Sequence, residues 1–435
     1  MMGTKNLASR RSRYQVSISN ESTRSDDESP TRKKEDVDPS SNFSNTFIYL
    51  GFCILLLGIA YIYHRNGPIT SKDVDTVSKN VNPASQLRIS HSDKDEQQKQ
   101  QQQHPWKFIT IVLPSVVNPT QRRRRLEAIA ETWGPSSRAV YVVHNLDVEF
   151  PGRQDQSIWP QTLSLPSNIT FDDGLPRLYY TLQHILELYD AEFYFFVNDH
   201  TYVIPEHLCY FLQNLDSHQD LYAGHALKNE REVFNSGAAG YVLSRTSLQK
   251  LVDRIFFHTP KDPNCIVQGE NKWLQGNPGL VTAKCLFHSL NTKAIDTREG
   301  GKYHRFHAYG IVRMTMGKVD GWYKNKHANL AEIVGFDDSY TTLLSGVDCC
   351  SGETISFHYV EFLETHALFQ IRKALIQEPD MSDTALNDLL IKLWPTDYKD
   401  LGGYSSRLPE TTSSSWMEIT NILRKISKPE YQMTC

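Results

Sequence analysis

From Trp106 onward the chain alternates short apolar runs with longer amphipathic segments, and this alternation restricts its fold more than any other feature. The runs WKFITIVLPS, AVYVV and AEFYFFV have the β-branched and aromatic content of buried strands. Residues 122–134, 175–190 and 205–215 instead repeat apolar side chains at the spacing of one helix face. Strands that alternate with helices predict an α/β fold with a mostly parallel central sheet.

The third apolar run ends in a compact polar triplet, Asn198-Asp199-His200. In α/β sheets, ligands bind beyond the carboxyl ends of the strands, so we expect this triplet at the ligand edge. Downstream, residues 234–244 read FNSGAAGYVLS and predict a small-residue turn that leads into a further helix. The turn lets a ligand approach the backbone closely through Ser236, Gly237, Ala238, Ala239 and Gly240.

The first part of the chain has a different composition. Residues 1–46 are rich in Ser, Arg and Asp and predict a disordered cytoplasmic tail. Residues 47–63 carry no charge, and an apolar run of about 17–25 residues is long enough to cross a bilayer. Residues 64–104 are polar and end in a glutamine run, which is typical of a stem that buries no core.

We expect the segment 47–63 to be a type II signal anchor with the large part of the chain in a lumen. Most of the chain follows the anchor, and this part contains a glycosylation sequon, Asn168-Ile169-Thr170. Such a sequon is used only on the lumenal side.

Six of the seven cysteines follow the anchor, with Cys53 inside it. Six cysteines allow three disulfides, as expected in an oxidising lumen, and Cys265 with Cys285 is the expected pair. No spacing of cysteine and histidine in the sequence resembles a zinc site. The net charge of −4 gives no indication of a nucleic-acid partner.

Four segments then carry a family resemblance: FITIVLPS…AIAETWG, FYFFVNDHTYV, NSGAAGYVLS and GVDCCSGETISFHYV. In order and spacing they resemble the Fringe-like β1,3-glycosyltransferases (glycosyltransferase family 31), most closely the core 1 β1,3-galactosyltransferases. The paired cysteines before SFHYV are the most specific part. The resemblance covers about Trp106 to Ala374. It implies a GT-A-type nucleotide-sugar-binding domain over residues 105–375, in a single-pass membrane protein of the Golgi or endoplasmic reticulum.

The resemblance also implies an activity. Members of this branch transfer galactose from UDP-galactose, with inversion and with a divalent metal, usually Mn²⁺, to O-linked GalNAc of glycoproteins in core 1 O-glycan synthesis. Two alternatives stay open: a catalytically inactive relative that acts as chaperone or partner of an active galactosyltransferase, and a β1,3-transferase of another sugar such as GlcNAc. A homodimer is a further expectation.

The strand-end triplet departs from the family pattern, which has three consecutive acids there. Those acids align with Asn198, Asp199 and His200, so that one carboxylate remains. Mn²⁺ also accepts imidazole, and His200 can chemically replace the third acid. A family histidine that binds the metal matches His358. The expected metal ligands are therefore Asp199, His200 and His358, with Asp199 and the small-residue turn 236–240 at the nucleotide.

The second departure concerns the catalytic base. The family supplies it from an acidic pair inside a segment that resembles residues 265–285, but this segment is longer here. Aligned from its first cysteine, the pair falls on Glu270 and Asn271, and Glu270 is the candidate base. Aligned from its second cysteine, the pair falls on Pro278 and Gly279, and no base remains.

Two further regions are less specific. The segment GWYKNKH matches a region where the family has clustered aromatic residues, and Trp322 or Tyr323 either stacks on an acceptor sugar or lies in the core. Residues 376–435 lie outside the resemblance and have no assigned role. In them, residues 385–394 predict an amphipathic helix, and the Ser/Thr-rich stretch that follows predicts a loop.

Overall fold

A computed structural model describes residues 106–115, 118–144, 161–170, 173–229, 232–266, 277–328, 330, 340, 344–395, 408, 409, 411, 413–428, 430 and 435. The tail, anchor and stem predicted for residues 1–104 lie outside the described residues. Within the described part of the chain, none of the helices combines the length and apolar character needed to cross a bilayer.

The strands, in chain order, are β1 (Trp106–Leu113), β2 (Ala139–His144), β3 (Gln161–Leu165), β4 (Ala191–Asn198), β5 (Thr201–Val203), β6 (Tyr222–Gly224), β7 (Ala226–Asn229), β8 (Glu232–Asn235), β9 (Tyr241–Ser244), β10 (Ala294–Ile295), β11 (Phe306–His307) and β12 (Ser356–His358). Seven of them form the main sheet in the order β10-β6-β9-β4-β1-β2-β3. Three others form a small sheet in the order β11-β12-β5, and β7 pairs with β8.

The main sheet is mostly parallel, as the alternation of strands and helices predicted. β1 pairs in parallel with β2 and β4, β2 with β3, and β6 with β10. Only β9 runs antiparallel to its neighbours, β4 and β6. The expected turn-to-helix segment therefore contains this extra strand. All four of its residues are buried, and a strand covered on both faces shows no alternation that would reveal it in the sequence.

The helices are α1 (Pro119–Glu131), α2 (Gly174–Leu188), α3 (Pro205–Leu212), α4 (Arg245–Val252), α5 (Pro278–Lys284), α6 (Ile311–Thr315), α7 (Gly321–Ala328), α8 (Phe362–Gln377), α9 (Asp383–Leu393) and α10 (Ser414–Lys425). The helices predicted over 122–134, 175–190, 205–215 and 385–394 correspond to α1, α2, α3 and α9. Their starts follow the usual chemistry, since Asn118 accepts a hydrogen bond from the Gln121 amide and Pro119 opens α1.

The prediction of a loop after residue 394 is wrong over residues Ser414–Lys425, which form α10. Ser413 caps this helix, because its side chain accepts a hydrogen bond from the Trp416 backbone amide. Trp416, Ile419 and Leu423 follow at helical spacing and are buried. The serine run contains the N-cap of this helix. The apolar residues that follow it at helical spacing were the sequence signal that predicts the helix.

The core lies on both faces of the main sheet. Along β4, Phe193, Phe195 and Val197 pack into one cluster with side chains of α1, α8 and α10. Tyr194 and Phe196 point to the other face, against α2 and α4. Full burial of one such aromatic side chain contributes about 1.5–3 kcal/mol. The continuous aromatic run therefore places the polar triplet at the end of a rigid, doubly covered strand.

Three disulfides join the described cysteines: Cys209–Cys435, Cys265–Cys285 and Cys349–Cys350. The expected pairing of Cys265 with Cys285 is confirmed. In the chain-entropy model, closure of a loop of that length stabilises the fold by about 3 kcal/mol. Cys209–Cys435 ties the last residue of the chain to α3.

Peptide mapping without reduction should recover these three linkages. The measurement is mass spectrometry of proteolytic fragments from protein alkylated before digestion, with a reduced sample as control. Alkylated Cys265 or Cys285 in the unreduced sample would contradict the pairing.

Several histidines are buried in the fold without their charge. Burial lowers the pKa of His207 and of His307 to about 3, with nearby positive charge from Arg372 and Lys425 respectively adding to the effect. For His207, a hydrogen bond between Nδ1 and the Thr354 carbonyl, at 2.7 Å, opposes the shift only in part. In the unfolded chain these rings have a pKa of about 6.5. The contribution of these neutral rings to the free energy of unfolding is therefore fully present above about pH 6.5 and is lost as the pH falls below that value.

We expect His207→Asn to reduce this acid sensitivity. An asparagine amide can replace Nδ1 as donor to Thr354, but it binds no proton between pH 7 and pH 5. The difference in unfolding free energy between these two pH values should shrink by about 2 kcal/mol, from one proton fewer taken up on unfolding. Denaturant unfolding of both proteins at both pH values measures it, and an unchanged difference would contradict the assignment.

Candidate functional site

The polar triplet and His358 meet at the junction of the two sheets. Asp199 and His200 form a turn between β4 and β5, and both are buried. β5 then pairs antiparallel with β12, which sets His358 opposite Thr201. The rings of His200 and His358 lie 4.3 Å apart between centroids. A three-residue strand pairing thus assembles two of the predicted site residues from distant parts of the chain.

A buried ion pair lies under this turn. Arg125 of α1 donates through Nε and Nη2 to the two carboxylate oxygens of Glu361, at 3.0 and 2.6 Å. Its Nη1 donates to Nδ1 of His200 at 3.0 Å and lies 3.5 Å from Oδ1 of Asp199. Arg125 comes from a run of four arginines at residues 122–125, and it is buried at the site.

Asp199 is held as a carboxylate. The backbone amide and hydroxyl of Ser115 donate to its Oδ1 at 3.0 and 2.6 Å. Burial alone would raise the pKa of Asp199, but the hydrogen bond and charge of His200, the charge of Arg125 and the Ser115 hydroxyl outweigh it and lower this pKa. Oδ2, the second oxygen, has no hydrogen-bond partner. The group therefore offers one ionised oxygen to a ligand.

His358 offers a nitrogen lone pair. Its Nδ1 donates to the carbonyl of Ala308 at 3.2 Å, which leaves Nε2 unprotonated in the neutral ring. Burial, followed by the charges of His200 and Arg125, holds the pKa of His358 well below its usual value. Nε2 is buried and has no partner. A neutral imidazole oriented by a backbone carbonyl fits a divalent cation.

His200 can present either chemistry. Its Nδ1 lies 3.0 Å from Nη1 of Arg125, which can only donate, but also 2.8 Å from Oγ of Ser115 and 3.3 Å from Oδ1 of Asp199, which can accept. The first contact favours the ring proton on Nε2, and the other two favour it on Nδ1. Nε2 is buried and unpartnered: with the proton on Nδ1 it is a lone pair for a metal, and with the proton on Nε2 it is an N–H donor for an anion. The role of metal ligand for His200 therefore stays a prediction. In the described part of the chain, Asp199, His200 and His358 do not form a group of three ligand atoms within 4.8 Å.

Tyr359 covers the site from the side. Its ring stacks on His200 at 5.5 Å between centroids and 12° between planes. Its backbone has φ of +57°, in the left-handed region that residues other than glycine avoid. The next residue, Val360, donates its amide to the carbonyl of His200 at 3.0 Å. Tyr359 lies in the SFHYV segment, in which only His358 was predicted as a site residue. Backbone strain of this kind often accompanies a functional site.

A cleft opens beside the triplet at the carboxyl ends of β1 and β4. Its lining includes Leu113, Asn198, Arg177, Tyr241 and Gly237. Arg177 brings a positive charge to a cleft that the first turn of α2 also borders through Gly174. The cleft therefore combines apolar and aromatic walls with one cationic side chain, and it includes Asn198, the first residue of the triplet.

The small-residue turn contributes less to this cleft than predicted. Of its five residues, Gly237 lines the cleft, whereas Ser236 and Ala239 are buried. Gly240 has φ of +89°, and an added Cβ would lie 2.7 Å from the Phe195 ring. Ala238 accepts a hydrogen bond from Thr201 through its carbonyl, at 3.0 Å. The turn mainly allows β9 to pack closely against β4.

The remaining predicted residues are distributed as follows. Glu270 and Asn271 lie outside the described residues, while Pro278 and Gly279 begin α5 and line the cleft. Trp322 is 57% exposed, so it is accessible to an acceptor. Tyr323 is fully buried and hydrogen-bonds to His225, so it is not placed to stack on a sugar.

Comparison with known proteins supports the resemblance seen in the motifs. No family model matches the chain. The chain is 27% identical over 216 residues to glycoprotein-N-acetylgalactosamine 3-beta-galactosyltransferase 1 of Xenopus laevis, a match that covers 47% of this chain and 53% of the relative. It thus spans about half the length of that curated relative. The mostly parallel sheet fits a GT-A-type fold, and by sequence the chain is similar to the core 1 β1,3-galactosyltransferases, as its motifs predicted.

Proposed function

We propose that this protein is an inverting glycosyltransferase that transfers galactose from UDP-galactose, in β1,3 linkage, to O-linked GalNAc of glycoproteins. The observation that carries the proposal is the group of three buried atoms without hydrogen-bond partners: Asp199 Oδ2, His200 Nε2 and His358 Nε2. Buried polar atoms are normally paired, so a group of unpaired ones, one residue away from Asn198 of the cleft, supports a polar ligand. The similarity to a galactosyltransferase supports the same class of reaction.

The three atoms suit a nucleotide diphosphate with a divalent cation. Asp199 Oδ2 and His358 Nε2 would hold the cation, Mn²⁺ being the expected ion, while the Nε2–H of His200 would donate to a phosphate oxygen. Such a cation neutralises the diphosphate and makes UDP a better leaving group. With one carboxylate where the family has three, this site holds the cation with less negative charge.

The transfer itself needs a base. The acceptor hydroxyl attacks the anomeric carbon, the bond from that carbon to the UDP oxygen breaks, and the hydroxyl proton passes to a carboxylate. The described carboxylates of the site are engaged, because Glu361 is bound by Arg125 and Oδ1 of Asp199 accepts hydrogen bonds from Ser115, while its Oδ2 is our proposed ligand of the cation. Glu270 is our proposed base. Exposed Trp322 is our proposed contact for the acceptor sugar.

The cellular setting completes the proposal. The uncharged segment 47–63 would anchor the chain as a type II protein of the Golgi or endoplasmic reticulum membrane, with the site in the lumen. The sequon at residues 168–170 supports this orientation, because Asn168 and Thr170 are exposed on the surface of the described part.

Titration calorimetry of the full-length protein with UDP tests the proposal. UDP should bind, and its affinity should rise when Mn²⁺ is added. His358→Ala should abolish this rise, because it removes one of two proposed protein ligands of the ion. A galactosyl-transfer assay on a GalNAc-bearing peptide then identifies the reaction.

The outcomes separate the competing functions. Absence of UDP binding with and without Mn²⁺ would exclude the enzyme and favour a non-catalytic chaperone or partner of an active transferase, for which the reduced acidic motif is the structural argument. UDP binding with transfer of GlcNAc but not galactose would keep the reaction class and change the donor.

A second prediction separates the two roles of His200. His200→Gln keeps an N–H near the position of Nε2 and should retain UDP affinity within about threefold, whereas His200→Asp should lower it by about tenfold or more, the usual loss for one hydrogen bond to a charged group. Calorimetry without metal measures both. Tighter Mn²⁺ binding by His200→Asp, with UDP affinity unchanged, would instead support His200 as a metal ligand.

A further inference from the structure

A second cluster of polar side chains lies apart from the strand-end site. His225 follows β6, His304 precedes β11 and His327 belongs to α7. Their relative exposures are 1%, 4% and 0%. Each offers a ring nitrogen, and these nitrogens all lie within 4.8 Å of one another, the one such group of three in the described part of the chain.

Tyrosine side chains enclose the three histidines. The hydroxyl of Tyr323 lies 2.7 Å from Nε2 of His225, and the hydroxyl of Tyr340 accepts a hydrogen bond from the Ala226 amide at 3.1 Å. Both tyrosines are fully buried. The hydroxyl oxygen of Tyr323 is therefore already close to the group of ring nitrogens.

Packing alone is a weak explanation for this arrangement. Centroid distances between the imidazole rings are 4.8, 5.5 and 5.3 Å, so the rings are in contact with one another. Desolvation of an imidazole costs free energy unless its nitrogens find partners. Phe or Leu would fill the same space without the need for such partners. Convergence of three buried imidazoles is the usual donor set of a transition-metal site.

We propose that His225, His304 and His327 bind one Zn²⁺, with the oxygen of Tyr323 as fourth ligand. Three imidazoles and one oxygen make up a tetrahedral zinc site, and the complete burial of all four side chains makes it structural. The site is independent of the proposed transfer reaction. No spacing in the sequence resembles this site, because its ligands come from three distant segments.

The charges around the cluster determine which change of protonation must accompany zinc binding. Arg298 lies over the Tyr340 ring, with its guanidinium 4.7 Å from the centroid, and forms an ion pair with Asp296. A dication among neutral imidazoles therefore needs a nearby anion, which Tyr323 supplies when its O–H bond breaks and the proton leaves to solvent.

Elemental analysis of the full-length protein tests the site. The protein is purified without a polyhistidine tag or chelator, and zinc is measured by mass spectrometry. We expect about one zinc per chain, and a loss of about tenfold or more in His327→Phe, which keeps an aromatic ring but removes a ligand. His307→Phe is the matched control, since His307 is buried and stacks on Phe357 but lies outside the group; it should keep the zinc.

Further variants and a probe ion decide the remaining outcomes. His358→Ala should keep the zinc, so a failure of the proposed transfer reaction does not affect this result. Protein without zinc, or zinc lost in His358→Ala but retained in His327→Phe, would overturn the proposal. If His327→Phe does not fold, wild-type protein loaded with Co²⁺ decides: the strong visible absorption of a tetrahedral Co²⁺ site supports it, and absence of absorption refutes it.

Discussion

The buried ion pair between Arg125 and Glu361 is the interaction on which the site depends. Glu361 caps α8 and immediately follows the segment that carries His358, while Arg125 belongs to the first helix of the fold. The pair therefore joins α1 to the start of α8 directly beneath the strand-end turn. A buried pair of this kind contributes little net stability, because desolvation offsets its attraction. Its effect is on geometry and protonation.

That effect extends to each ligand-facing atom. Arg125 donates to Nδ1 of His200, and this contact favours the ring tautomer with its proton on Nε2. The same guanidinium helps to keep Asp199 ionised and His358 neutral. One cation thus sets an N–H donor, a carboxylate oxygen and a lone pair side by side, which is the mixture that a diphosphate with its cation requires.

The sequence predicted the parts of the fold that periodicity controls. β1, β2 and β4 and helices α1 to α3 were readable because apolar residues repeat at strand or helix spacing over many positions. β9 was missed because both its faces are covered, and α10 because its start resembles a serine-rich loop. The position of Asp199 and His358 was also predictable, since strand ends and family motifs point to the same edge.

Other features of the site depend on contacts that no local pattern contains. The ion pair of Arg125 spans 236 positions of the chain, and the same side chain contacts Nδ1 of His200. The cluster of His225, His304 and His327 similarly arises from three segments that meet only in the folded chain. Sequence patterns identify residue types that can do chemistry, whereas the partner of each residue decides which chemistry it does.

The left-handed backbone of Tyr359 has a consequence for how this protein tolerates change. A residue with a side chain at such a φ costs about 1–2 kcal/mol relative to glycine. Selection for thermal tolerance alone would therefore favour glycine at this position. Glycine would also free the loop and remove the ring that covers His200. At position 359, a substitution that raises the stability of the fold would therefore weaken the ligand site. The strained tyrosine keeps the site at a cost in stability.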